Sequence, residues 1–152
     1  MKRAYWDTSC VLPLYAPEPL SDVIAHRAEE EREPLTSSAL LEYEMIFALN
    51  AKESKHELPK GGAQRAINQL QHDIRQGRLL LAPLGQDIRE TAARIATAAF
   101  RSKPPIALRT LDGIHLATAL QLNAEPLLTA DRRMAVAAKV LGIRAEFLAD
   151  QD

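Results

Sequence analysis

Acidic side chains recur in this 152-residue chain at points where strand-like runs give way to helix-like ones. Asp7 follows the β-prone run Ala4-Tyr5-Trp6, and Asp131 follows Leu127-Leu128-Thr129-Ala130. Asp112 lies in the first turn of the helical sequence Thr110-Leu111-Asp112-Gly113-Ile114-His115-Leu116-Ala117. Glu42 and Glu44 interrupt an otherwise apolar stretch that includes Leu40, Leu41, Met45, Ile46 and Leu49. An acid among core-forming residues is informative, because burying it unpaired is expensive. Each has a local explanation: Asp7 and Asp131 suit helix N-caps, Asp112 answers the macrodipole, and either glutamate can face solvent. The collective explanation is that they meet. Two carboxylates about 5 Å apart at an effective dielectric of about 20 repel by roughly 3 kcal/mol. A hard divalent cation removes that penalty, and carboxylates with water suit Mg²⁺ or Mn²⁺. Zinc is disfavoured, since Cys10 is the single cysteine and His26, His56, His72 and His115 show no ligand spacing.

The elements that must carry these acids alternate in type. Strands are expected at 4–6, 34–36, 78–82, 126–129 and 143–147, the third of them as a buried parallel strand. Helices are expected at 10–15 (weakened by Pro13), 19–31, 39–55, 87–101, 111–122 and 131–141. Ser37 or Ser38 is the expected cap of the 39–55 helix, and Thr110 that of the 111–122 helix. A further helix begins after Gly62, where Ala63, Ile67, Leu70 and Ile74 fall on one face. Short strands alternating with helices imply one α/β domain with a mostly parallel sheet, because parallel neighbours need crossover connections. Such a sheet binds ligands at the carboxyl ends of its strands, and that rule brings Asp7, Asp112 and Asp131 to one edge.

Composition narrows the class. Hydrophobic residues make up 47% and charged residues 26%, the balance of a folded globule rather than a disordered chain. A single cysteine forms no internal disulfide, and no apolar run approaches the roughly 20 residues a bilayer span needs. Asp7 comes before any long apolar stretch, so no secretory signal and a cytoplasmic location are expected. The net charge of −1 conceals a segregation: −5 over residues 1–50, +6 over 51–110 and −2 over 111–152. The basic middle (Arg65, Arg75, Arg78, Arg94, Arg101, Lys103) reads on charge alone as solvated helix faces, and is the candidate face for an anionic polymer.

At these acids the chain resembles the PIN domain family, and within it the VapC-type toxin ribonucleases of toxin–antitoxin pairs. The likeness is carried by Asp7-Thr8-Ser9, by Thr36-Ser37-Ser38-Ala39-Leu40-Leu41-Glu42-Tyr43-Glu44, by Leu108-Arg109-Thr110-Leu111-Asp112-Gly113-Ile114-His115-Leu116-Ala117, and by Leu128-Thr129-Ala130-Asp131. The third piece is the most specific, although Gly113 stands where the family more often has alanine. The resemblance implies a three-layer α/β/α fold over residues 1–152, with catalytic acids at Asp7, Glu44, Asp112 and Asp131. Helical periodicity does not choose between Glu42 and Glu44; the family's spacing from the serine at the helix start favours Glu44.

The resemblance further implies an endoribonuclease acting on single-stranded or loop RNA with Mg²⁺ or Mn²⁺ held by Asp7, Asp112 and Asp131. A homodimer and a cognate antitoxin go with it, the helices after residues 20 and 38 being the expected antitoxin groove. Arg109 is expected to contact a phosphate or pair with a site acid, and Thr8 and Thr129 to hydrogen-bond the carboxylates, with plain capping or turn chemistry the alternative for each. His115 is expected as a hydrogen-bonded packing histidine, Cys10 as a small buried residue, and Tyr5, Trp6 and Tyr15 as core. A haloacid-dehalogenase-like phosphatase needs a second aspartate two positions after Asp7, where Ser9 stands. A phosphorelay receiver wants an acidic pair at the first strand end and a lysine at the last, and Tyr5-Trp6-Asp7 and Ile143-Arg144-Ala145 supply neither. The remaining alternative is a non-catalytic PIN-like module that binds RNA or a protein.

Overall fold

In the computed structural model, residues 2–149 are described; Met1 and residues 150–152, which the expected 1–152 domain includes, lie outside the described residues. The chain runs β1 (Tyr5–Trp6), α1 (Thr8–Val11), a 3₁₀ turn (Leu12–Leu14), α2 (Ser21–Glu29), β2 (Leu35–Ser38), α3 (Leu40–Ser54), α4 (Gly62–Arg75) and β3 (Leu79–Ala82). It continues with α5 (Gln86–Arg101), α6 (Thr110–Gln121), β4 (Leu127–Thr129), α7 (Arg132–Val140) and β5 (Ala145–Phe147). The five strands form one sheet in the order β3-β2-β1-β4-β5, and every pairing is parallel.

Successive strand residues point to opposite faces, and β1 shows the consequence. Trp6, fully buried, packs with Cys10, Leu41, Met45, Ile67 and Leu70 on the side covered by α1–α4. Tyr5, equally buried, packs with Ile88, Ile95, Leu116, Leu127 and Met134 under α5–α7. The result is the expected α/β/α stack, stabilised by about 1.5–3 kcal/mol for each large apolar side chain so enclosed. From β1 the chain winds outward through β2 to β3, then returns to the other side of β1 for β4 and β5. Connections therefore leave the carboxyl ends of β1 and β4 in opposite senses, which opens the crevice where ligands bind in such sheets.

Several local expectations are corrected. The strand at 79–82 is not buried: β3 is the sheet edge, and only Leu79 is enclosed while Leu80 is 39% exposed. Asp7 starts α1 earlier than expected, and Pro13 is accommodated in the 3₁₀ turn, where a missing N–H costs little. β2 continues through Ser38, whose hydroxyl accepts from the Leu40 amide at 3.1 Å, while Ser37 turns inward to the Trp6 carbonyl at 2.6 Å. Thr110 is already helical; Arg109 holds the N-cap position of α6 without a side-chain cap bond. The basic middle is not one face. Arg65 and Arg75 ride on α4, whereas Arg94 and Arg101 ride on α5 across the sheet, and Arg78 pairs with Asp73 at 3.2 Å. Among the described residues no helix is long and apolar enough to cross a membrane.

Candidate active site

The acids gather at the β1/β4 crevice in two connected groups. Asp7, immediately after β1, is 5% exposed. Its Oδ1 accepts from the Ser9 amide at 2.6 Å, capping α1, and its Oδ2 accepts from the Thr129 hydroxyl at 2.5 Å. Capping accounts for the first bond and leaves the burial unexplained, since a cap works equally well in solvent. Burial pushes the Asp7 carboxyl above its ordinary range, against the opposing pull of the His115 charge and the hydrogen bonds from Thr129 and Ser9. Thr129 in turn accepts from the Asp131 amide at 3.0 Å, so one hydroxyl ties the ends of β1 and β4 together.

Glu44, one turn into α3, belongs to the same inner group; of the two glutamates it is the one engaged here. Its Oε1 accepts from the Thr8 hydroxyl at 2.8 Å and lies 2.5 Å from His115 Nε2. An ionised carboxylate only accepts, so Nε2 donates to Glu44, while Nδ1 meets the Tyr5 hydroxyl at 2.7 Å. Partial burial acts to raise the Glu44 carboxyl, but the His115 hydrogen bond and charge and the Thr8 bond overcome it and hold the group below its usual range. His115 is thus the packing histidine expected, and it also fixes a site acid. The Tyr5 hydroxyl was missed as an anchor; the available signal was that a tyrosine enclosed in a central strand must find a partner for its polar tip.

The outer group consists of Asp112 and Asp131 joined by Arg109. Arg109 Nε donates to Asp112 Oδ2 at 3.0 Å and Nη2 to Asp131 Oδ2 at 3.1 Å. The guanidinium is 58% exposed, against 16% and 30% for the two carboxylates. Asp131 Oδ1 also caps α7 through the Arg133 amide at 2.9 Å. A cavity beside this group is lined by Ile106, Leu108, Val136 and Arg133 together with Arg109 and the two acids. A larger cavity, around Tyr15, Asp73 and Arg78, lies at the amino ends of β2 and β3 and contains none of these acids.

Thus Asp7, Asp112 and Asp131 come to one edge, with Glu44 reached through Thr8, the residue next to Asp7. They do not form a ready cage: among the described residues no three His, Cys, Asp or Glu side chains are grouped to hold a metal ion. The donor chemistry nevertheless fits a hard cation, being carboxylate oxygen with hydroxyl support and no thiolate. Asp112 and Asp131 already share one positive charge, that of Arg109.

The chain matches the family model described as PIN domain over residues 4–140. It is 37% identical over 145 residues to ribonuclease VapC46 of Mycobacterium tuberculosis, covering 94% of this chain and 95% of that one. Among solved structures it is similar to FitAcB from Neisseria gonorrhoeae (TM-score 0.66, 22% identity, 95% of this chain and 96% of that chain). It is similar also to VapBC-1 from nontypeable Haemophilus influenzae (TM-score 0.66, 18% identity, 95% and 96%). The last two likenesses concern the fold.

Proposed function

This chain belongs to the PIN domain family, and from that premise we propose that it is a metal-dependent endoribonuclease, the toxin of a toxin–antitoxin pair. The observation that carries this is the convergence of Asp7, Glu44, Asp112 and Asp131 on the β1/β4 crevice of a chain that matches a ribonuclease along nearly its whole length. Asp7, Asp112 and Asp131 would hold Mg²⁺ or Mn²⁺. When bound, such an ion neutralises charge gathering on the phosphate and makes water a better nucleophile at neutral pH.

The chain's own groups do the rest. Thr129 and the Ser9 amide fix the Asp7 carboxylate in one rotamer, so that no reorganisation is needed as charge develops. Glu44, kept ionised by His115 and Thr8, has Oε1 committed and is left with Oε2 to orient the water that attacks phosphorus. Hydrolysis then adds that water to phosphorus as the ribose oxygen leaves with a proton. The positive N-terminal ends of α6 and α7 face the same corner and favour a bound phosphate.

RNA with unpaired segments is the substrate, the cytoplasm the location, a homodimer the assembly and a cognate antitoxin the partner. In the test, purified protein is incubated with single-stranded and hairpin RNAs in Mg²⁺, Mn²⁺ or EDTA. Cleavage that EDTA abolishes is expected; RNA retention with no cleavage under any metal would favour a binding module instead. Expression with and without the neighbouring open reading frame tests the pairing, the expected result being growth arrest that the neighbour relieves. Sedimentation at micromolar concentration tests the dimer, and a monomer alone would remove it.

A further inference from the structure

We propose that Arg109 is a resident counter-cation of the acid corner, one that a divalent ion must displace in order to bind between Asp112 and Asp131. The proposal rests on assigning those two aspartates to a metal, as above. Four observations support it. Arg109 spans both carboxylates with separate nitrogens, at 3.0 and 3.1 Å, which is the electrostatic task a divalent ion would perform there.

Its position is otherwise unfavourable. It occupies the N-cap of α6 with no capping bond, where the helix macrodipole repels a cation. The two acids alone offset that repulsion. The guanidinium is also 58% exposed, so its ion pairs are of the weak, solvent-screened kind and open readily.

Finally, Asp131 does not need Arg109 to be in place. Asp131 is fixed by its cap bond to the Arg133 amide and by its own amide on Thr129, while α6 carries the Asp112 backbone and Arg109 alone holds its carboxylate. Removing the arginine therefore deletes a competitor, leaves Asp131 anchored and frees the Asp112 carboxylate to turn toward an ion. An arginine that merely organised the site would have the opposite sign, because its loss would weaken metal binding.

The test is Mn²⁺ affinity of the RNA-free protein, measured by calorimetry at low salt, for wild type, Arg109→Gln, Arg109→Lys and Arg133→Gln. A unit charge next to a divalent ion predicts about tenfold tighter binding in Arg109→Gln. Arg109→Lys, which keeps the charge, stays near wild type. Arg133→Gln removes the same charge from the same cavity without touching either acid, and shifts affinity less than about twofold. Melting curves recorded with and without Mn²⁺ give a second readout, the metal-induced rise being larger in Arg109→Gln. Equal or weaker Mn²⁺ binding by Arg109→Gln overturns the proposal, as does an equal gain from Arg133→Gln or no Mn²⁺ binding by any variant. Because RNA cleavage is not read, a wild type that cuts RNA while Arg109→Gln binds Mn²⁺ no better sinks this inference alone. Tighter Mn²⁺ binding in a protein that cuts no RNA sinks the nuclease assignment alone.

Discussion

The inner and outer halves of the acid corner hold carboxylates by different means. Asp7 and Glu44 are met by neutral hydroxyls, a backbone amide and an imidazole, largely out of water. Asp112 and Asp131 are met by one exposed guanidinium. Asp7 and Asp131 make the contrast sharp, because both cap a helix through the amide two residues on, yet Asp7 is 5% exposed and the Asp131 side chain 30%. The same local chemistry is thus fixed by packing in one place and left adjustable in the other. The proposed nuclease site, binding a cation and an anionic polymer in turn, needs both: rigid oxygens to define where charge goes, and a surface that can exchange partners.

The largest effect expected from breaking this contrast is at Asp7. Asp7→Asn removes the innermost negative charge and should lower metal-dependent RNA cleavage by a factor on the order of 10³, read in single-turnover assays. The same variant should be more stable, melting about 3 °C higher near neutral pH, since an ionised carboxylate is no longer buried. Loss of cleavage with a lower melting temperature would contradict the cost ascribed to burying the Asp7 charge.

Next is His115→Ala. It frees Glu44 and strands the Tyr5 hydroxyl, so cleavage should fall by about 10–100-fold and stability by about 2 kcal/mol, measured by urea unfolding. His115→Gln restores a donor toward Glu44 and should recover more of the activity than of the stability.

A smaller effect separates the two inner acids by pH. Asp7 is raised in the folded state, so the folded chain binds the extra proton. Its contribution to stability is therefore lost as pH climbs from the ordinary aspartate range through the raised value. Glu44 is lowered, so its contribution is present above the ordinary glutamate range and is lost as pH falls below it. Denaturation across acidic pH should show Asp7→Asn flattening the loss on the alkaline side and Glu44→Gln flattening the loss on the acid side. Identical profiles for the two variants would erase the distinction.

The smallest effect lies in the outer half. Asp131→Asn keeps a capping oxygen and should cost only about 0.3 kcal/mol, while Asp131→Ala loses the cap and should cost about 1 kcal/mol. A large destabilisation by Asp131→Asn would mean that the outer half is structural after all.

Much of this was legible in the residues themselves. Strand and helix alternation, the caps at Asp7 and Asp131, and the helical face of Ala63, Ile67 and Leu70 all follow from local pattern. What pattern could not supply was decided by tertiary placement. The run Leu79-Leu80-Leu81 is as apolar as a central strand, yet it lies at the edge because the chain turns back to β4 instead of adding beyond β3. The basic middle spans a crossover, so its arginines divide between the two sides of the sheet. The choice of Glu44 over Glu42 depends on His115, which lies 71 residues away in the chain and carries no local mark of that role.

The most direct test of the central claim is to locate the ion. Crystals soaked in Mn²⁺ and measured at the manganese absorption edge should show an anomalous peak within coordination distance of the Asp7 and Asp112 carboxylates, on the side facing Asp131. A manganese peak elsewhere on the protein, or none at this corner at millimolar concentration, would contradict the assignment of these acids to a metal-dependent nuclease.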